Sequence, residues 1–173
     1  MRKPAFSARE IAVLGLLSAL LYGAKMVMAP LPNIEPVSLL VIVYVAVLGR
    51  KALIPVYVYV MLEIVTWGFG YWSACYLYVW AVLALAAWLL RGMESPWGWA
   101  ALSGAFGLCF GALCSLTYWA AGGWAFALSW WMSGIPFDLF HGAGNFALAL
   151  ALFRPCKTVL SRLYWGKEGR PAA

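Results

Sequence analysis

Hydrophobic residues in this chain run in unbroken blocks instead of alternating with polar ones, and the polar residues gather at the breaks. Roughly 20 apolar residues cross a bilayer as a helix, so such blocks predict membrane-spanning helices, whereas a barrel would need alternation at every second position. The first block, 8–29, ends at Pro30-Leu31-Pro32-Asn33-Ile34-Glu35-Pro36, whose three prolines cannot continue a helix. A shorter second block, 36–48, is closed by Gly49, Arg50 and Lys51. The third, 53–69, has Pro55 in its first turn and passes through Gly68, Gly70, Tyr71 and Trp72 into a fourth at 73–90. Ser95-Pro96 offers an N-cap and then proline at the first helical position, opening a fifth block at 97–121 that stops at Gly122-Gly123. The Trp-rich stretch Trp124–Ile135 leads to a sixth, 136–153, ended by Pro155. The pattern predicts an all-α membrane protein, residues 1–173 forming one transmembrane domain of six helices in a single bundle, with 154–173 as a basic tail.

Composition agrees. Of 173 residues, 65% are hydrophobic and 10% charged, and the mean hydropathy is +0.86, which leaves no length for a soluble catalytic domain. A net charge of +6 would suggest a nucleic-acid partner in a soluble protein. Here the basic residues sit between or outside the blocks, so they report orientation and no nucleic acid is expected. With both termini cytoplasmic, every Lys and Arg except Lys25 falls on the cytoplasmic side. The basic start and apolar run imitate a signal peptide but lack a small-x-small cleavage site, so they read as the first span. Cys75, Cys109, Cys114 and Cys156 form no C-x-x-C pair and have no His at ligand spacing. They read as small apolar residues, with no metal and no cofactor expected.

Ionisable residues inside spans are costly and are functional candidates by default. Lys25, Glu63, Asp138 and His141 all fall in the outer halves of their blocks, and Asn145 continues the face of Asp138 and His141 at spacings of three and four. Together they predict a polar pocket open to the outside, with Asn33 and Glu35 in the loop above and Trp67, Trp72, Tyr76 and Trp130 as aromatic walls. Structural roles compete with this: Asp138 as a cap for the sixth helix, Lys25 as a snorkelling residue or the partner of Glu63. Ala8, Ala12, Gly15, Ala19 and Gly23 lie within an arc of roughly 80° on the first helix, a small-residue stripe suited to close approach of another helix. Gly104, Gly107, Gly111 and Ser115 form a second such series, assigned to packing inside the chain.

Six short helices, Leu31-Pro32-Asn33-Ile34-Glu35-Pro36 after a small-residue first helix, Gly68-Phe69-Gly70-Tyr71-Trp72 before the fourth, and Ser133-Gly134-Ile135-Pro136-Phe137-Asp138 into the sixth resemble the S components of energy-coupling factor (ECF) transporters. The resemblance covers nearly the whole chain and rests on overall pattern more than on a strict motif. It implies a non-enzymatic, multi-pass subunit of a bacterial or archaeal cytoplasmic membrane that captures a vitamin or related micronutrient from outside. Its partners would be a transmembrane T component and two ATPases of an ABC-type transporter. The family's A-x-x-x-A pattern matches Ala8 and Ala12 as a docking stripe, extended through Gly15, Ala19 and Gly23. Its pocket region maps onto the 33–35 loop, Gly68 to Trp72, and the face of Asp138, His141 and Asn145. No Gly-x-x-x-x-Gly-Lys-Ser/Thr loop is present, in keeping with ATP being bound elsewhere. Two carboxylates, a Lys and a His without Arg favour a nitrogen-containing ring over a phosphate or free carboxylate. Two other classes compete. Phe137-x-x-x-His141-x-x-x-Asn145 is similar to elements of CAAX-type intramembrane proteases, with Glu63 as a base, but the Glu-Glu-x-x-x-Arg motif is missing. The other is a structural membrane subunit.

Overall fold

The computed structural model describes residues 6–31 and 34–166 and is all-helical, with no strand among the described residues. α1 spans Ala8–Met28, opened by a capping box in which Ser7 and Glu10 satisfy each other's backbone N–H groups. α2, Val37–Leu48, passes through a 3₁₀ turn at Gly49–Ala52 into α3, Leu53–Trp67. α4 covers Tyr71–Leu89. α5, Pro96–Trp165, is N-capped by Ser95 with Pro96 in its first turn, as the sequence predicts. Four stretches are long and apolar enough to cross a membrane: Ala8–Met28, Val37–Trp67, Tyr71–Leu89 and Pro96–Trp165. Leu16, Val65 and Phe140 are 71%, 83% and 68% exposed on the perimeter, a surface that lipid solvates and water does not.

α5 corrects the separate helices expected at 97–121 and 136–153. Helical geometry fails inside it at one residue, Gly123, whose φ of 79° is a conformation that glycine alone adopts cheaply. There the chain doubles back. A Cβ added at Gly104 would meet Phe146 and the Gly142 carbonyl, one at Gly107 would meet the Gly142 backbone, and one at Gly111 would fall on the Asp138 carboxylate. These pairs converge on Gly123, so residues 96–122 and 124–165 form an antiparallel hairpin whose limbs touch at backbone distance. Gly104, Gly107 and Gly111 therefore serve internal packing. The second limb starts at Trp124 and runs through Pro136 and Pro155, neither of which starts or stops it. Each proline removes a backbone hydrogen bond, but in a bundle the packing of neighbours offsets a loss that would end an isolated helix. The expected tail at 154–173 is accordingly helical as far as Trp165, and residues 167–173 lie outside the described residues.

Side-chain bonds set the directions of the helices. Lys51 pairs with Glu10 at 2.5 Å at one end, while Lys25 pairs with Glu63 and Tyr22 bonds Thr66 at the other, so α1 and α3 run parallel. Tyr44, in α2, donates to the Leu17 carbonyl at 3.0 Å. Arg9 donates to the Leu163 carbonyl and Tyr164 bonds Glu10, which puts the start of α1 beside the end of α5. Large side chains fill the centre, with Trp80, Trp99, Tyr44, Tyr59 and Tyr76 fully buried. Burial against protein gains little over burial in lipid, so close packing and these hydrogen bonds hold the bundle.

Candidate functional site

At the end of the bundle opposite Glu10 and Lys51, a cavity of about 410 Å³ opens between α1, α4, the two limbs of α5 and the loop before α2. Its polar lining is Lys25, Glu35, Asp138 and His141; its aromatic walls are Trp72, Tyr76, Phe110, Trp130 and Phe137. A volume in this range suits a small organic ligand.

Asp138 caps nothing. It lies mid-helix in the second limb, where Oδ1 accepts from the Gly111 N–H at 2.9 Å across the hairpin and Oδ2 is buried without a hydrogen bond among the described residues. The short distance exists because residue 111 has no side chain, so glycine is what admits the carboxylate. One helical turn on, His141 is 5% exposed and braced by the edge of Phe110, ring centroids 4.9 Å apart. Its Nε2 has no hydrogen-bond partner among the described residues and stands 3.8 Å from Glu35 Oε1, too far for a hydrogen bond. Glu35 belongs to the loop outside the helices, and burial pushes its carboxyl up to about 7, with Lys25 opposing and Glu63 adding to the rise.

Lys25 forms an ion pair with Glu63, donates to Tyr76 Oη at 3.2 Å and sits 4.9 Å from the centre of the Tyr76 ring. This buried pair is net neutral, which leaves Glu35 and Asp138 as the uncompensated acidic groups of the cavity. The aromatic wall is itself supported: Trp72 packs on Tyr76 and Phe110, Tyr76 on Trp80, and Trp130 stacks on Tyr118 with centroids 4.2 Å apart and planes 18° off parallel. The Trp124–Ile135 stretch thus begins the second limb and supplies one wall.

Of the residues singled out from the sequence, Glu35, Trp72, Tyr76, Trp130, Asp138 and His141 come together around the cavity. Glu63 stands behind Lys25, buried and not on the wall. Asn145 lies one turn deeper, donating to Ser38 Oγ at 2.9 Å with its own carbonyl oxygen unpartnered among the described residues. Trp67 is 67% exposed and points away. Asn33 lies outside the described residues. Phe110, Gly111 and Phe137 were not anticipated as lining residues; the glycine series at 104, 107 and 111 and the spacing of four from Phe137 to His141 were the available signals. Cys75 and Cys114 are buried free thiols in contact at 2.9 Å between α4 and α5, in keeping with small core residues. Comparison of the chain with protein-family models, with curated proteins and with solved structures finds no match.

Proposed function

We propose that the chain is the substrate-capture subunit of an ECF-type, ATP-driven uptake transporter, and that it takes a vitamin or related micronutrient with a nitrogen-containing ring from outside. The cavity carries this reading. Aromatic faces on several sides suit a flat ring, and Asp138 and His141, which line the cavity, each hold a buried polar atom, Oδ2 and Nε2, with no described partner. Two uncompensated carboxyls favour a ring that donates hydrogen bonds or carries positive charge. In this reading Val37–Trp67 and Pro96–Trp165 each cross the membrane twice, giving six crossings, both termini are cytoplasmic, and the chain catalyses no reaction. Ala8, Ala12, Gly15 and Ala19 are exposed, and Gly15 and Gly23 have open space where a Cβ would stand. That face is available to a T component, whose two ATPase partners would drive release.

Mass spectrometry of small molecules that co-purify with the detergent-solubilised protein tests the proposal. A planar nitrogen heterocycle is expected, and adding it back should quench Trp fluorescence. Asp138→Ala and His141→Ala should each weaken it by about 1–3 kcal/mol, roughly five- to 150-fold, the cost of leaving a buried group unsatisfied. Unchanged affinity in both folded variants would place the site elsewhere. Ala12→Trp should abolish uptake and leave binding intact; loss of both would return the stripe to internal packing.

Glu35 makes the capture pH-dependent. Its carboxyl is ionised above about 7 and faces Lys25, Glu63, Tyr76 and His141, so a cationic ring should bind more tightly at pH 8 than at pH 6. Glu35→Gln should flatten that dependence, and an unaltered profile would mean that Glu35 does not govern it. The sign for stability is opposite. A folded-state value raised from 4.5 to about 7 favours the folded protein at low pH, and that contribution is lost as the pH rises through 7.

A further inference from the structure

We propose that the far end of the bundle holds a binding site for one anionic phospholipid, made by Arg50, which lines a groove between α2, α3 and α4, and by Arg91, which packs on the Trp88 that lines the same groove. The guanidinium carbon of Arg50 lies 5.2 Å from the centre of the Trp88 indole and that of Arg91 lies 4.6 Å from it, so a single half-buried Trp gathers two cations. No described carboxylate stands within ion-pair distance of either, whereas the neighbouring Lys51 is taken by Glu10. Arginine presents a planar fork of donors that matches phosphate oxygens, and stacking on an indole holds the fork in place. Arg91 gives one Nη1 hydrogen bond to the Trp88 carbonyl at 3.1 Å, and its other donors have no described partner.

Beneath Arg50 an apolar groove of about 410 Å³ is lined by Val45, Gly49, Leu53, Ala81, Ala84, Leu85 and Trp88. From Trp88 to Ala81 it descends two turns of α4, about 10 Å at the helical rise, toward the middle of the bundle. Ala81 and Ala84 make its floor, and Leu85, 56% exposed, flanks it. Arg50 on the groove, Arg91 beside it on Trp88, and an apolar channel below match an anionic headgroup and its acyl chain. A soluble phosphate would use the arginines and ignore the groove, and a zwitterionic lipid would bring its own cation to a cationic end of the groove. The proposal is independent of what the cavity at the other end binds and requires only that the chain sits in a bilayer.

Native mass spectrometry of the full chain, released from nanodiscs of equal parts phosphatidylglycerol and phosphatidylcholine, tests it. One phosphatidylglycerol is expected to remain bound in preference to phosphatidylcholine. Arg50→Gln with Arg91→Gln should cut its retention by about ten- to thirty-fold, at about 1 kcal/mol per basic side chain near anionic lipid. Arg154→Gln with Arg162→Gln removes the same charge outside the groove and should leave retention unchanged. Ala81→Trp fills the groove beneath intact arginines and should release the lipid as well. Equal loss from both double variants, equal retention of the two lipids, or retention in a folded Ala81→Trp protein would overturn the site.

Discussion

Lys25→Met is expected to destabilise the protein by about 3–5 kcal/mol, because it leaves the Glu63 carboxylate buried at 3% exposure without its cation. The ammonium also bonds Tyr76 and lies over its ring, so the loss loosens the wall that α4 gives the cavity. Glu63 Oε1 already has no hydrogen bond among the described residues. Removing both charges is a different case. Lys25→Met with Glu63→Leu replaces a desolvated pair by apolar groups of similar volume and should recover most of the stability, since the Coulombic gain of such a pair roughly offsets its desolvation. Thermal unfolding in one detergent, followed for the two single variants and the double, measures the coupling. A double variant as unstable as Lys25→Met alone would mean that Lys25 acts through Tyr76 and not through Glu63.

The second large effect is expected at Gly107. A Cβ there would stand 2.8 Å from Gly142 Cα and N and from the His141 carbonyl carbon, all backbone atoms of the facing limb. Backbone cannot rotate aside as a side chain does, so Gly107→Val should force the limbs apart and destabilise by about 1–3 kcal/mol or more. The displacement falls on His141 itself, so ligand binding should fail together with stability. Gly134 makes the control: it borders the cavity with nothing within 4 Å of an added Cβ. Gly134→Ala should fold normally. Equal stability of Gly107→Val and Gly134→Ala would mean that the two limbs do not pack at this distance.

These two sites differ in how far they could be read from the chain. A buried Lys and Glu in apolar blocks announce themselves, and pairing between them was one of the readings open for Lys25. The glycines point to internal packing without naming a partner, because a glycine series shows that something comes close and not what it is. Asp138 shows the limit most sharply. Two residues after a proline, it reads as a helix cap; in the bundle it is mid-helix, bonded to an N–H 27 positions away.

What the sequence determined by itself is position along each helix. Apolar blocks of this length read as helices able to cross a membrane, and a rise of 1.5 Å per residue then spaces the polar side chains along them. The four ionisable residues, the aromatics near them and the Ser95-Pro96 start follow from local chemistry alone. Tertiary structure decided azimuth and partnership: that Lys25 spends its charge on Glu63, that Trp67 turns away while Trp130 turns in, and that Pro136 and Pro155 continue a helix they would break in isolation. The cause in each case is a contact between residues far apart in the chain. A proline's local cost is set against the packing of a whole hairpin, and a side chain's surroundings depend on which neighbouring helix approaches within backbone distance. Glycine at 104, 107 and 111 permits that approach; only the turn at Gly123 brings residues 138–146 into place to make it.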